Sequence, residues 1–156
     1  MKLVKTTNRS WKYLLSQNEA DLLQGLIRNF PFTEYRQAKI SNTEVNPKAA
    51  ERGKLLNESL AEHRNELRKL ALNLLAGQQW KKSGKDCHLT LNSEAREILL
   101  QILNDIRIVC WHELGEPEDL ESKPARTSLK NLAHRNLMDL AGYFEYSLLE
   151  PAQSSL

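Results

Sequence analysis

The stretch SEAREILLQILNDIRIVCWHELG, running from Ser93 to Gly115, decides the fold. Wound as an α-helix, it carries apolar side chains on almost every side: Ile98, Leu99, Leu100, Ile102, Leu103, Ile106, Ile108, Val109, Cys110, Trp111 and Leu114. A helix that is apolar all round demands cover all round. The segment is therefore expected to be the central helix of a helical domain, capped by Asn92 or Ser93 and closed by Gly115.

Just before it, residues 78–91 read as a hairpin. Trp80-Lys81-Lys82 leads into Ser83-Gly84-Lys85-Asp86, which carries turn chemistry, and Cys87-His88-Leu89-Thr90-Leu91 returns with alternating polarity. Further back lies a long helical pattern. Asn46 caps it, Pro47 suits its first position, and Gly77 ends it. Leu56, Leu60, His63, Leu67, Leu70 and Leu74 follow one another at steps of four and three, the signature of one apolar seam. Leu55, Leu72 and Leu75 lie off that seam. They imply an apolar strip that buries against a second copy or a protein partner, or under the polar segment 32–45 through Tyr35 and Ile40.

Toward the N-terminus, Leu22, Leu23, Leu26, Ile27 and Phe30 repeat at helical spacing after a cap at Ser16 or Asn18, and Pro31 stops the run. Residues 11–15 suit a short edge strand. Tyr13–Ala20 and His88–Ala95 echo each other without a gap, each a strand entering a capped helix, so the two strands are expected to pair. The last helix spans Arg126–Glu150, with Leu129, Leu132, Ala133, Leu137, Leu140, Ala141, Phe144 and Leu148 inward. The expected architecture is mainly α: one domain over residues 11–150, of about four main helices with a small hairpin or three-stranded sheet at one end. Residues 1–10 and 151–156 are expected to be flexible.

Composition excludes some classes. With 40% hydrophobic and 27% charged residues the chain reads as globular, and no apolar run reaches the roughly twenty residues of a membrane span. The N-terminus lacks the apolar segment of a secretory signal. Two cysteines without such a signal, Cys87 and Cys110, imply reduced thiols in a cytoplasmic protein. A net charge of +2 makes nucleic acid an unlikely partner by itself.

Two tempting motifs fail. Gly77 to Lys85 ends in Gly-Lys, but six residues separate its glycines and Asp86 follows the lysine, so it is not a phosphate loop. Cys110 and His112 point about 200° apart on a helix and cannot chelate one ion together, and Cys87-His88 lacks zinc spacing. Neither metal nor cofactor is expected, and catalysis less than binding.

The polar residues within the central helix are the best site candidates. Asn104 and Arg107 share a face with Trp111, and Asp105 lies close by in sequence. The expected role is a buried network that locks helix packing, with Arg107 largely buried and charge-paired. The alternative is a small-ligand or enzymatic pocket lined by Asn104, Arg107 and Trp111. A second alternative is a nucleic-acid contact by Trp80 with Lys81, Lys82 and Lys85.

Leu103-Asn104-Asp105-Ile106-Arg107, preceded by the Leu-Thr-Leu strand at 89–91, resembles the signature of a bacterial family of unknown function. That family carries a Leu-Asn-Asp-Leu-Arg run late in a chain of similar length, and its genes often lie near that of the Clp protease adaptor. The chain departs from the pattern at Val109-Cys110-Trp111-His112. The resemblance implies a cytoplasmic helical protein with a place in protein quality control and transfers no catalytic residue. The expected function is thus a non-catalytic interaction or regulatory protein.

Overall fold

The computed structural model describes residues 1–31, 47–119 and 128–151. Four strands, β1 (Lys2–Thr7), β2 (Ser10–Ser16), β3 (Trp80–Ser83) and β4 (Asp86–Asn92), form one antiparallel sheet in the order β1-β2-β4-β3. Among the described residues four helices accompany it: α1 (Gln17–Asn29), α2 (Pro47–Ala76), α3 (Ser93–Glu113) and α4 (Leu129–Leu149). The architecture is mainly α with a small sheet. The sheet has one strand more than expected, because residues 2–7 are an edge strand and not a flexible end. Their own signal is weak. Leu3 is the only buried side chain of β1, and a bulge at Val4 breaks its alternation; pairing with β2 makes the strand. For the same reason β2, expected at the edge, lies between β1 and β4.

Local chemistry sets the element ends. Ser16 caps α1 through its Oγ, which accepts the Glu19 N–H, and the Glu19 carboxylate accepts the Ser16 N–H in return. Asn92 caps α3 by accepting the Ala95 N–H at 2.8 Å, and Ser128 caps α4 through the Asn131 N–H. Gly84 takes the positive φ of 64° that the β3–β4 turn requires, and Gly115 at 83° closes α3. The expected cap at Asn46, segment 32–45 with Tyr35 and Ile40, and tail 152–156 lie outside the described residues.

Among the described residues the element order is a repeat: strand, strand, helix, helix, twice. The sequence echo placed the correspondence at a shift of 75 residues. Burial and capping place it at 76, a step at which Tyr13 matches Leu89, Leu15 matches Leu91, cap Ser16 matches cap Asn92, and Leu23, Ile27 and Phe30 match Leu99, Leu103 and Ile106. Tyr13 and Leu89 also stand directly opposite each other in the β2–β4 ladder. The two hairpin–helix units therefore sit about a local pseudo-twofold axis at that pair.

One face of the sheet packs on the helices. Leu3, Tyr13, Leu15, Cys87, Leu89 and Leu91 share a single core with Leu23, Ile27, Leu99, Leu103, Phe144 and Leu148. Three expectations about helix faces need correction. The central helix α3 is not covered all round: Asn104, Arg107 and Ile108 are exposed. The first turns of α4 are exposed too, Leu129 at 87%, with Leu132 and Ala133, and its inward face starts at Leu137 and Met138. On α2 the packed seam is Gly53, Asn57, Leu60, Arg64, Leu67, Ala71 and Leu74; Leu56 and Leu70, at 59% and 36%, are exposed beside it, as is His63. Leu55 and Leu72 are exposed and Leu75 is half-buried. At 100° per residue Leu55 and Leu75 lie on opposite sides of α2, so these three leucines form no single strip.

Candidate functional site

The polar residues of α3 do not form one network. Asp105 reaches α2, where its carboxylate accepts from Arg64 Nε and Nη2 at 3.0–3.3 Å. Both side chains are mostly buried. Arg107 points the other way, to α4, and pairs with Glu145 at 2.5 Å while 45% exposed. It is charge-paired as expected but not buried. Positions 105 and 107 lie about 200° apart on a helix, so one partner set cannot serve both. Asn104 is exposed. Trp111 is half-buried, and its Nε1–H donates to the Pro117 carbonyl at 3.2 Å, which ties the chain after α3 back onto the helix.

The run that resembles the family signature thus has a structural use at four of its five positions. Leu103 and Ile106 enter the core, Asp105 ties α3 to α2, and Arg107 ties it to α4. A hollow does open over the candidate pocket, lined by Asn104, Arg107, Ile108, Trp111 and Met138. Its volume of about 210 Å³ falls below the roughly 300–1,000 Å³ of small-molecule sites.

The β3–β4 hairpin does not assemble the expected basic contact patch. Trp80 is half-buried against the core and spends its Nε1–H on the Leu74 carbonyl at 2.9 Å. It is not a free stacking platform. Lys81 faces away from the helices opposite His88, Lys82 lies on the helix side opposite Cys87, and Lys85 sits in the turn.

Sequence reasoning missed several groups. Arg64 occupies a seam position of α2 that the leucine pattern had assigned to His63. Arg96 stands 5.0 Å above the Trp11 ring and donates to the Tyr13 hydroxyl at 3.2 Å and to the Leu148 carbonyl at 2.6 Å. Tyr13 donates to the same carbonyl. A cation and a hydroxyl thereby satisfy the C-terminal end of α4. Glu19 accepts from the Met1 ammonium and from the Tyr143 hydroxyl. Burial pushes its carboxyl up, but these donors and the Ser16 N–H outweigh burial and hold it at about 2. Burial pushes both thiols up, Cys110 to about 11, so each stays protonated and unreactive.

A groove runs between α2 and α3. Leu67, Leu70 and Ile98 form its floor, Glu66, Glu94 and Glu97 its rim, and His63 and Gln101 complete the lining. Its volume is about 250 Å³. The only sequence signal for it was a conflict: Leu70 belongs to the leucine seam, yet Ala71 is the residue that packs. Among the described residues no three His, Cys, Asp or Glu side chains converge to hold a metal ion, and no helix is long and apolar enough to cross a membrane. No family model, no curated protein and no solved structure matches this chain.

Proposed function

We propose that this chain is a non-catalytic interaction protein whose docking surface is the α2–α3 groove. One observation carries the reading: an apolar floor of Leu67, Leu70 and Ile98 beneath the carboxylates of Glu66, Glu94 and Glu97. Such a surface suits an amphipathic segment with apolar anchors and basic flanks. The rim disfavours anionic metabolites, and the volume suits one or two side chains better than a whole ligand. The Arg64–Asp105 pair joins the same two helices and keeps their spacing set before a partner arrives. The quality-control setting remains an expectation resting on the resemblance of residues 103–107.

The test is a titration of a lysine–leucine amphipathic peptide against the chain. Glu94→Lys with Glu97→Lys should weaken binding at least about tenfold, and Leu70→Glu should abolish it. Binding that ignores all three substitutions sinks the reading. Sedimentation at micromolar concentration separates the occupants: a dimer dispersed by Leu70→Glu identifies a second copy, and a monomer leaves the groove to a foreign segment.

A further inference from the structure

The two hairpins segregate charge. Residues 2–16 and 80–92 contain Lys2, Lys5, Arg9, Lys12, Lys81, Lys82 and Lys85 against one carboxylate, Asp86. The whole chain nets only +2, so the remainder is net acidic. The strand registers gather most of these cations on the sheet face turned away from the helices. One row across the strands reads Lys2, Leu14, His88, Lys81, and the next reads Lys5, Lys12, Thr90. A third row, Thr7, Ser10 and Asn92, is uncharged and polar, and a fourth, Ser16, Asp86 and Ser83, holds the one carboxylate of the two hairpins. Lys2, Lys5, Thr90 and Lys81 are exposed.

The arrangement costs stability. Lys5 stands directly opposite Lys12, and like charges so placed repel. The bulge at Val4 allows this, because it lets Leu3 bury while Lys5, two residues on, faces outward. At the shift of 76, Lys5 and Lys12 correspond to Lys81 and His88, also directly opposed, a cation facing an imidazole. Among the described residues no carboxylate makes an ion pair with any of the four lysines. A like-charge pair left without a counter-ion, on a face that gathers four lysines, marks a surface that awaits an anion.

We propose that this sheet face binds the phosphodiester backbone of double-stranded nucleic acid without regard to sequence. Lysines act as point charges toward phosphates, and Thr7, Ser10, Thr90 and Asn92 add hydrogen-bonding groups of the kind that contact backbone oxygens. Lys2 and Lys81 stand three strand steps apart, about 14 Å by the usual strand spacing. That span bridges a duplex major groove of roughly 12 Å. A single strand is disfavoured, because the aromatic residues of the sheet, Trp11, Tyr13 and Trp80, face the helices and none is available for base stacking. An anionic membrane is disfavoured as well: Leu14 is half-buried, and Val4 is the only exposed large apolar side chain on the strands. The proposal does not depend on the α2–α3 groove, which has the opposite charge.

The experiment is fluorescence anisotropy with a labelled 20-base-pair DNA duplex, alongside the single strand, polyglutamate and phosphatidylserine vesicles. Duplex binding should be independent of sequence, and log K should fall with log salt at a slope of about −4 for four phosphate contacts. Lys5→Glu with Lys12→Glu should weaken it at least tenfold, while Lys54→Glu with Lys69→Glu, the same charge change on α2, should leave it within twofold. Lys5→Thr provides the check on folding: it relieves the like-charge pair, so the urea midpoint should hold or rise while duplex binding weakens. The proposal is overturned by no duplex binding at 50 mM salt, by equal losses in the two charge-reversal pairs, or by tighter binding of polyglutamate, vesicles or the single strand.

Discussion

Arg64 and Asp105, 41 residues apart, meet through three nitrogen–oxygen contacts of 3.0–3.3 Å at the crossing of α2 and α3. The fork of a guanidinium on a carboxylate fixes an angle as well as a distance. This pair, and not Arg107, is the buried ionic tie of the central helix.

Asp105→Ala is expected to cost about 1.5–3 kcal/mol, the range for charged hydrogen bonds, since it leaves Arg64 without its carboxylate. A double-mutant cycle with Arg64→Ala should return a coupling above about 0.5 kcal/mol. Additive losses in urea unfolding would show that the two side chains act independently.

Arg107→Ala should cost under about 1 kcal/mol. Its guanidinium is 45% exposed, and solvent screens its pair with Glu145. A buried pair, which the sequence alone leads one to expect here, would cost about 3–5 kcal/mol to break. Equilibrium urea curves separate the two values readily.

The seam of α2 can be tested by contrast. Leu67→Ala should destabilise by roughly 2–5 kcal/mol, because Leu67 is 4% exposed within the core. Leu56→Ala, at 59% exposure, should stay within about 0.5 kcal/mol of the parent. Equal effects would return the seam to the leucine register.

Glu19 predicts an acid limb. Its folded-state pKa lies at about 2, below its ordinary 4.5, so the unfolded chain takes up the proton first. Its contribution is complete above pH 4.5 and is lost as the pH falls toward 2. Glu19→Gln should therefore flatten the pH dependence of unfolding across that window. An unchanged slope would show that Met1 and Tyr143 do not hold the carboxylate in solution.

Much of the frame was legible because it rests on local chemistry. Ser16, Asn92, Pro31, Gly84 and Gly115 announce helix and turn boundaries through groups within four residues of themselves. The apolar periodicity of α1 and α3 marks helices whatever packs on them. The echo of residues 13–20 in 88–95 announced that the two strands pair. What only the tertiary structure decided depended on neighbours distant in the chain. The α2 pattern contains two seams that share Leu60, Leu67 and Leu74, the more apolar one through Leu56, His63 and Leu70, the other through Gly53, Asn57, Arg64 and Ala71. Small and charged residues won because Ala71 admits close packing and Arg64 finds Asp105. Residues 2–7 carry too little apolar surface to announce a strand, and become one by pairing with β2. The basic sheet face was invisible for the same reason. Its lysines come from three strands, and no count along the chain brings Lys5 opposite Lys12 or Lys2 into line with Lys81; the hydrogen-bond register does.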